Sequence, residues 1–100
     1  RRVSSPFLIY SFKSMDDISE LARRLEMHYS GESTLYRCGD SYYLLLTKSG
    51  LHSYGMRMFE LVLAEYGVKI TNNSFMEGYL SEHGEKIIEN DALEVLRRFY

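Results

Sequence analysis

The chain has 100 residues, enough for one domain with a real hydrophobic core, and 45% of them are hydrophobic. Its net charge is only −2, but the stretch 60–94 carries eight acidic residues against two lysines, a net charge of −6. Such a stretch repels nucleic acid and suits a basic protein partner. No apolar run approaches the roughly 18 residues of a membrane span. The one cysteine excludes an internal disulfide and suits a reducing cytoplasm.

The domain organisation is expected to be simple. Residues 1–100 show no linker and no low-complexity run, so we expect a single domain. Because the sequence begins with "RRVSS" and not with methionine, we expect this domain to be excised from a longer chain.

The first half of the chain predicts a strand, a helix and a hairpin. The apolar run "FLIYSF" predicts a strand, and Ser14 is placed to cap the helix that follows. On that helix Glu20 and Arg24 are spaced to form an i,i+4 ion pair. Gly39-Asp40 separates "STLYRC" from "SYYLLLTK", which predicts a hairpin with a two-residue turn. Since "YYLLL" is apolar on both pleat faces, its strand is expected to be central and covered.

The second half predicts two further units of helix, glycine and strand. A helical stripe runs from about Tyr54 to Tyr66 and is stopped by Gly67 before the short strand "VKIT". Ser74 and Glu77 form a capping-box pattern for a brief helix that ends at Gly84, before the strand "EKII". Asn90 is then expected to cap a final helix.

This order of elements is that of a split βαβ unit. We therefore predict an α+β fold of two layers, with a mainly antiparallel sheet and helices on one face. A ferredoxin-like core is followed by a C-terminal short helix, strand and helix.

The residues offer little for catalysis or cofactor binding. His28, His52 and His83 are not spaced with Cys38 as metal ligands are, and Cys38 has no evident base. There is no glycine-rich phosphate loop, and "SYYLLLTK" lacks the basic and glycine residues of an RNA-binding platform. We predict no enzyme activity, no cofactor and no metal.

One short pattern occurs twice, as "LAEYGVKI" at 63–70 and "LSEHGEKI" at 80–87. Gly67 and Gly84 are expected to stop helices with positive φ, so Glu65 and Glu82 sit where the helix dipole disfavours an acid. Either these are tolerated surface charges, or the acids are kept for function. In the second case Glu65 and Glu82, flanked by Tyr66 and His83, would form a compact acidic docking patch.

Three segments, in order and over nearly the whole chain, resemble the MecA family of adaptor proteins. They are "SFKSMDDISELARRL", "STLYRCGDSYYLLL" and "YLSEHGEKIIENDALEVLRRF". The matched pieces are the segment after the first strand, the hairpin and the C-terminal stretch of the family.

The resemblance implies the C-terminal domain of an adaptor of the type that negatively regulates genetic competence. Such domains dock on the Hsp100 AAA+ ATPase ClpC, which unfolds proteins for the ClpP protease, and promote its assembly. The family's N-terminal domain takes the substrate protein. Family members dock through acidic residues at helix ends, which by motif fall on Glu65 in "LAEYG" and Glu82 in "LSEHG". Tyr66 and His83 are expected as flanking contacts.

Two other functions remain open from the residues alone. A small-molecule-sensing ferredoxin-like regulatory module would need a ligand pocket. A hydrolase would need a nucleophile and a base that the sequence does not show.

Overall fold

Five strands and four α-helices occupy the part of the chain that the computed structural model describes, residues 7–52 and 55–99. The strands are β1 (Phe7–Phe12), β2 (Ser33–Cys38), β3 (Ser41–Thr47), β4 (Val68–Lys69) and β5 (Glu85–Ile88). The helices are α1 (Met15–Arg24), α2 (Met56–Ala64), α3 (Asn73–His83) and α4 (Ala92–Phe99). The predicted start of α2 at Tyr54 lies outside the described residues.

The strands form one sheet in the order β4-β1-β3-β2-β5, and every neighbouring pair is antiparallel. The first four strands have the arrangement of a split βαβ core, and β5 adds an outer strand beside β2. The predicted α+β class, the antiparallel sheet and the central position of β3 are confirmed. The turn between β2 and β3 is the predicted pair Gly39-Asp40, with φ of 64° at the glycine.

The main core lies on one face of the sheet, under α1, α2 and α4. Alternate residues of β1 point into it, and helix residues such as Ile18, Phe59 and Leu96 cover them with no exposed surface. This matches the period of two in a strand and the stripe of an amphipathic helix.

The prediction that all helices lie on one face is wrong for α3. Leu80 of α3 packs with Ile9 and Tyr36 in a second, smaller core on the opposite face. Half-buried Leu45 and Met76 pack against it. Both faces of the sheet therefore carry helix, and the two-layer description holds only where α3 is absent. The apolar run in β3 is explained, because its side chains enter both cores.

Helix starts are satisfied partly by local and partly by distant residues. Ser14 accepts from the backbone N–H groups of Asp16 and Asp17, so the predicted cap of α1 is confirmed. For α3 the cap is Asn72 instead of Ser74, because its side-chain oxygen accepts from the N–H of Phe75.

The first turn of α4 is capped from another element. Ser33 Oγ of β2 accepts from the N–H of Leu93 at 2.8 Å. Asn90, predicted as the cap, instead adopts φ of 74° and donates its N–H to Thr34 Oγ1. Ser33, which lies 60 positions before Leu93, thus caps the helix start that Asn90 was predicted to cap.

Gly84 is the C-terminal cap of α3, and Gly67 follows two residues after Glu65, the cap of α2, but neither glycine has positive φ. A side chain is excluded at both positions because backbone atoms lie too close to the glycine. A Cβ on Gly67 would lie 2.6 Å from the carbonyl oxygen of Ser11, and one on Gly84 would lie 2.8 Å from that of Leu80. The helix ends are confirmed, and the reason for glycine is contact with backbone.

Candidate partner-binding site

The two glycine corners lie at the same end of the sheet. Val68 of β4 pairs with Ser11, and Glu85 of β5 pairs with Arg37. Both pairs lie near the turn of the β2–β3 hairpin, since Phe12 and Arg37 both face Tyr42. The echoed segments therefore enter the sheet at one end, in the same direction.

The corners are nevertheless far apart. β4 and β5 are the two edges of the sheet, four strand spacings or about 20 Å from each other. They also follow helices that lie on opposite faces. Glu65 and Glu82 therefore do not form the compact patch predicted from the sequence, and each corner has to be considered by itself.

At the first corner, Glu65 and Tyr66 already hold a cation. Arg24 Nη1 donates to Glu65 Oε1 at 2.6 Å and to the Tyr66 hydroxyl at 3.1 Å. The guanidinium carbon lies 5.6 Å from the centroid of the Tyr66 ring. The hydrogen bonds to Tyr66 and Glu65 raise the pKa of Arg24 above its ordinary value. Glu20, the expected partner of Arg24, pairs with Arg23 instead.

At the second corner, Glu82 has no such partner. Its side chain is 78% exposed, and its one ion-pair contact among the described residues is His83 Nε2 at 3.6 Å. That imidazole carries a charge only when it is protonated. Glu82 therefore presents to solvent a carboxylate that no lysine or arginine of the described residues neutralises.

Two aromatic residues that the sequence analysis missed lie beside Glu82. The rings of Phe75 and Tyr79 are stacked with centroids 6.0 Å apart, and the ring of His83 lies 4.7 Å from that of Tyr79. Phe75 is 62% exposed and Tyr79 is 41% exposed. The signal for this row was present in the sequence, because the three rings recur at intervals of four residues, which align on one side of a helix.

Gly78 completes this surface. It lies in the interior of α3, is exposed, and has open space where a Cβ would be. A glycine there costs about 0.5–1 kcal/mol relative to alanine, and nothing in the fold requires it. We call the surface made by Phe75, Gly78, Tyr79, Glu82 and His83 the aromatic face of α3.

Other chemistry is sparse in the part of the chain that the structure describes. There, no three His, Cys, Asp or Glu side chains come together as metal ligands. No described helix is long and apolar enough to cross a membrane. A polar cleft of about 250 Å³ lies beside Tyr29, Asn90 and Arg97. It is smaller than the roughly 300–1,000 Å³ of typical small-molecule sites and less apolar.

Comparison with known proteins identifies relatives of this fold. The family model described as negative regulator of genetic competence (MecA) matches residues 1–96. The C-terminal domain of YpbH is 30% identical, with a TM-score of 0.70, and the match covers 95% of this chain and 99% of that one.

Two further solved structures share the fold at lower identity. The C-terminal domain of MecA is 22% identical with a TM-score of 0.71, and the match covers 94% of this chain and 97% of that one. A chain of the MecA–ClpC complex determined by cryo-EM is 21% identical with a TM-score of 0.68, covering 95% and 96%. A comparison with curated proteins finds no match. The match to the family model and the similarity to the YpbH domain confirm the resemblance seen in the sequence: the chain belongs to the MecA family.

Proposed function

We propose that this domain is a non-catalytic adaptor that docks on an Hsp100 AAA+ ATPase of the ClpC type and promotes its assembly for regulated proteolysis. Membership of the MecA family supports the adaptor role. A fold relative was determined in a complex with ClpC, which supports the choice of partner. In this proposal the substrate protein is taken by another region of the full protein. An adaptor of a Clp ATPase acts in the cytoplasm, in agreement with a single cysteine.

The observation that carries the proposal is the exposed, uncompensated carboxylate of Glu82. An acid in the last turn of a helix is disfavoured by the helix dipole, and His83 offers a charge only when protonated. The surrounding stretch 60–94 has a net charge of −6, which attracts a basic partner surface. Glu82 and His83 are the primary docking residues.

Glu65 and Tyr66 have a secondary part in this proposal. Arg24 binds the carboxylate of Glu65 and lies over the ring of Tyr66. A partner cation would therefore have to displace the Arg24 guanidinium or share these two groups with it. Both side chains keep an exposed portion, and Glu65 is 58% exposed. They can therefore contact the partner at the far edge of the sheet.

The test is direct addition of the purified domain to a purified ClpC-type ATPase. We expect co-elution in size-exclusion chromatography and ATP hydrolysis that rises until the domain is stoichiometric with the ATPase subunit. The isolated domain should give background turnover on ester, phosphate and peptide substrates. Absence of binding would refute the docking role. Robust turnover that disappears in Cys38→Ser would refute the non-catalytic role.

A further inference from the structure

We infer that the aromatic face of α3 is a receptor for an arginine side chain of the partner, which stacks on Tyr79 and pairs with Glu82. The inference rests on the proposed function and names the chemistry of the partner at that site. It assigns roles to Phe75, Gly78 and Tyr79, which lie outside the docking patch predicted from the sequence.

The molecule contains an example of the same recognition. At the first corner Arg24 is held by the carboxylate of Glu65 and lies over the ring of Tyr66. The second corner repeats an acid followed by a ring, as Glu82 and His83, and adds the ring of Tyr79 at 4.7 Å. In the part of the chain that the structure describes, no arginine or lysine contacts this second set. The chain therefore supplies its own arginine to the first acid-and-ring pair, and the described residues supply no cation to the second.

The charges around the aromatic face favour a cation from outside. Both lysines of the acidic stretch are engaged, since Lys69 pairs with Glu60 and Lys86 pairs with Glu89. Lys86 also lies 6.0 Å from the ring centroid of Tyr36, on another element. Among the described residues, neither Glu82 nor Glu85, three positions further along the chain, has a lysine or arginine partner. A cation that approaches α3 thus meets unneutralised carboxylates.

Gly78 provides room for that cation. On a helix of about 3.6 residues per turn, position 78 lies beside Phe75, Tyr79 and Glu82. A side chain there would project between Phe75 and Glu82 on the helix surface and narrow the approach to the aromatic face. Because the space at Gly78 is open, the fold tolerates a Cβ and only a bound group would meet it. A planar guanidinium fits such a flat opening better than a lysine ammonium does, since it stacks on rings and pairs with a carboxylate at once.

The first experiment probes the chemistry without the ATPase. The domain is titrated with N-acetyl-arginine amide, and separately with N-acetyl-lysine amide at equal ionic strength, while NMR shifts are recorded. We expect the Gly78 amide and the Tyr79 ring to shift at least twice as far with the arginine compound, and the Tyr79→Ala variant to lose the response at Gly78. Equal shifts with the two compounds, or none at either position, would overturn the inference.

The second experiment measures the binding of two variants to the ATPase. One of them, Gly78→Ala, is expected to be more stable than the wild type and yet to bind more weakly. Gly78→Ala should raise Tm by about 2–8 °C, because alanine favours a helix interior. It should also weaken ATPase binding at least threefold, and Tyr79→Ala should weaken it at least fivefold. Ser81→Ala is the control, since it also places alanine on exposed helix but about 120° around the axis from the centre of the aromatic face. Its binding should equal that of the wild type.

The outcomes separate this inference from the proposed function. If the wild-type domain does not bind the ATPase but responds selectively to the arginine compound, the choice of partner is wrong and the receptor stands. If the domain binds, and Gly78→Ala and Tyr79→Ala bind as tightly as the wild type, docking stands and the receptor is refuted.

Discussion

At the scale of residues, Arg24 makes the two echoed glutamates chemically different. Sequence spacing offered Arg24 a partner four positions away, but its carboxylate comes from Glu65, 41 positions along the chain. Such a contact depends on how α1 and α2 meet and has no local signature. The repeated pattern could therefore single out Glu65 and Glu82 with their flanking rings, whereas the availability of each acid could not be predicted.

A buried tyrosine leads to a prediction about alkaline pH. Tyr10 is 1% exposed, and its hydroxyl has no hydrogen-bond partner among the described residues. Burial, and then the charge of Glu60, raise the pKa of Tyr10 from 10.0 to about 12. Between those values the unfolded chain has released the proton that the folded chain keeps, so the free energy of unfolding falls as pH rises.

The Tyr10→Phe variant should remove that loss. At pH 7 it should be as stable as the wild type or about 1 kcal/mol more stable, because an unpaired buried hydroxyl is removed. Urea unfolding at pH 8, 10 and 11.5 measures both proteins. The stability advantage of the variant should grow from pH 10 upward. An advantage that stays constant with pH would contradict the raised pKa.

At the scale of elements, local patterns predicted the strands well and the placement of α3 badly. The bounds of β1, β2 and β5 follow from apolar runs between turn residues, and the structure places them at the expected positions. Periodicity marks which side of a helix is buried but not which face of the sheet receives it. For α3 that choice involves a long-range contact, since Asn73 Nδ2 donates to the carbonyl oxygen of Phe7 at 2.7 Å.

The attachment of α3 can be tested at its one fully buried side chain. Leu80 is 0% exposed and packs against Ile9 and Tyr36. Leu80→Ala should lower the free energy of unfolding by about 2–5 kcal/mol. Because so little else holds α3, its amide hydrogens should lose exchange protection before those of α1.

Leu63→Ala in the main core is the matched control for this variant. Leu63 is equally buried, so a similar loss in the free energy of unfolding is expected. In this variant the loss of exchange protection should extend over the whole domain. Hydrogen exchange by mass spectrometry follows both variants. If Leu80→Ala leaves α3 as protected as α1, then α3 is not the separable unit that the two cores indicate.

At the scale of the whole molecule, strand order decides what the echoed segments can do together. The split βαβ order was predictable from the order of elements, and it brings both glycine corners to one end of the sheet. The same order puts them at opposite edges, which the sequence pattern could not show because β5 follows the core as an extra strand. A partner that touches both corners must span about 20 Å.

Reversal of the charge at Glu82 tests the docking account most directly. Glu82→Lys should leave the fold intact, since the side chain is exposed and a lysine complements the end of α3. Close charge pairs at interfaces contribute about 1.5 kcal/mol or more, and about 1.4 kcal/mol is tenfold in affinity. Glu65→Lys should have a smaller effect on binding, and it should cost stability because the new charge faces Arg24.

The measurement is the Kd for a purified ClpC-type ATPase at low salt, with Glu26→Lys as the control. Glu26 is an exposed acid in the turn after α1, where it lines the polar cleft beside Tyr29 and Arg97. Glu82→Lys should raise Kd at least tenfold, less so as salt screens the charges, while Glu26→Lys leaves it unchanged. A folded Glu82→Lys domain that binds as tightly as the wild type would contradict the account.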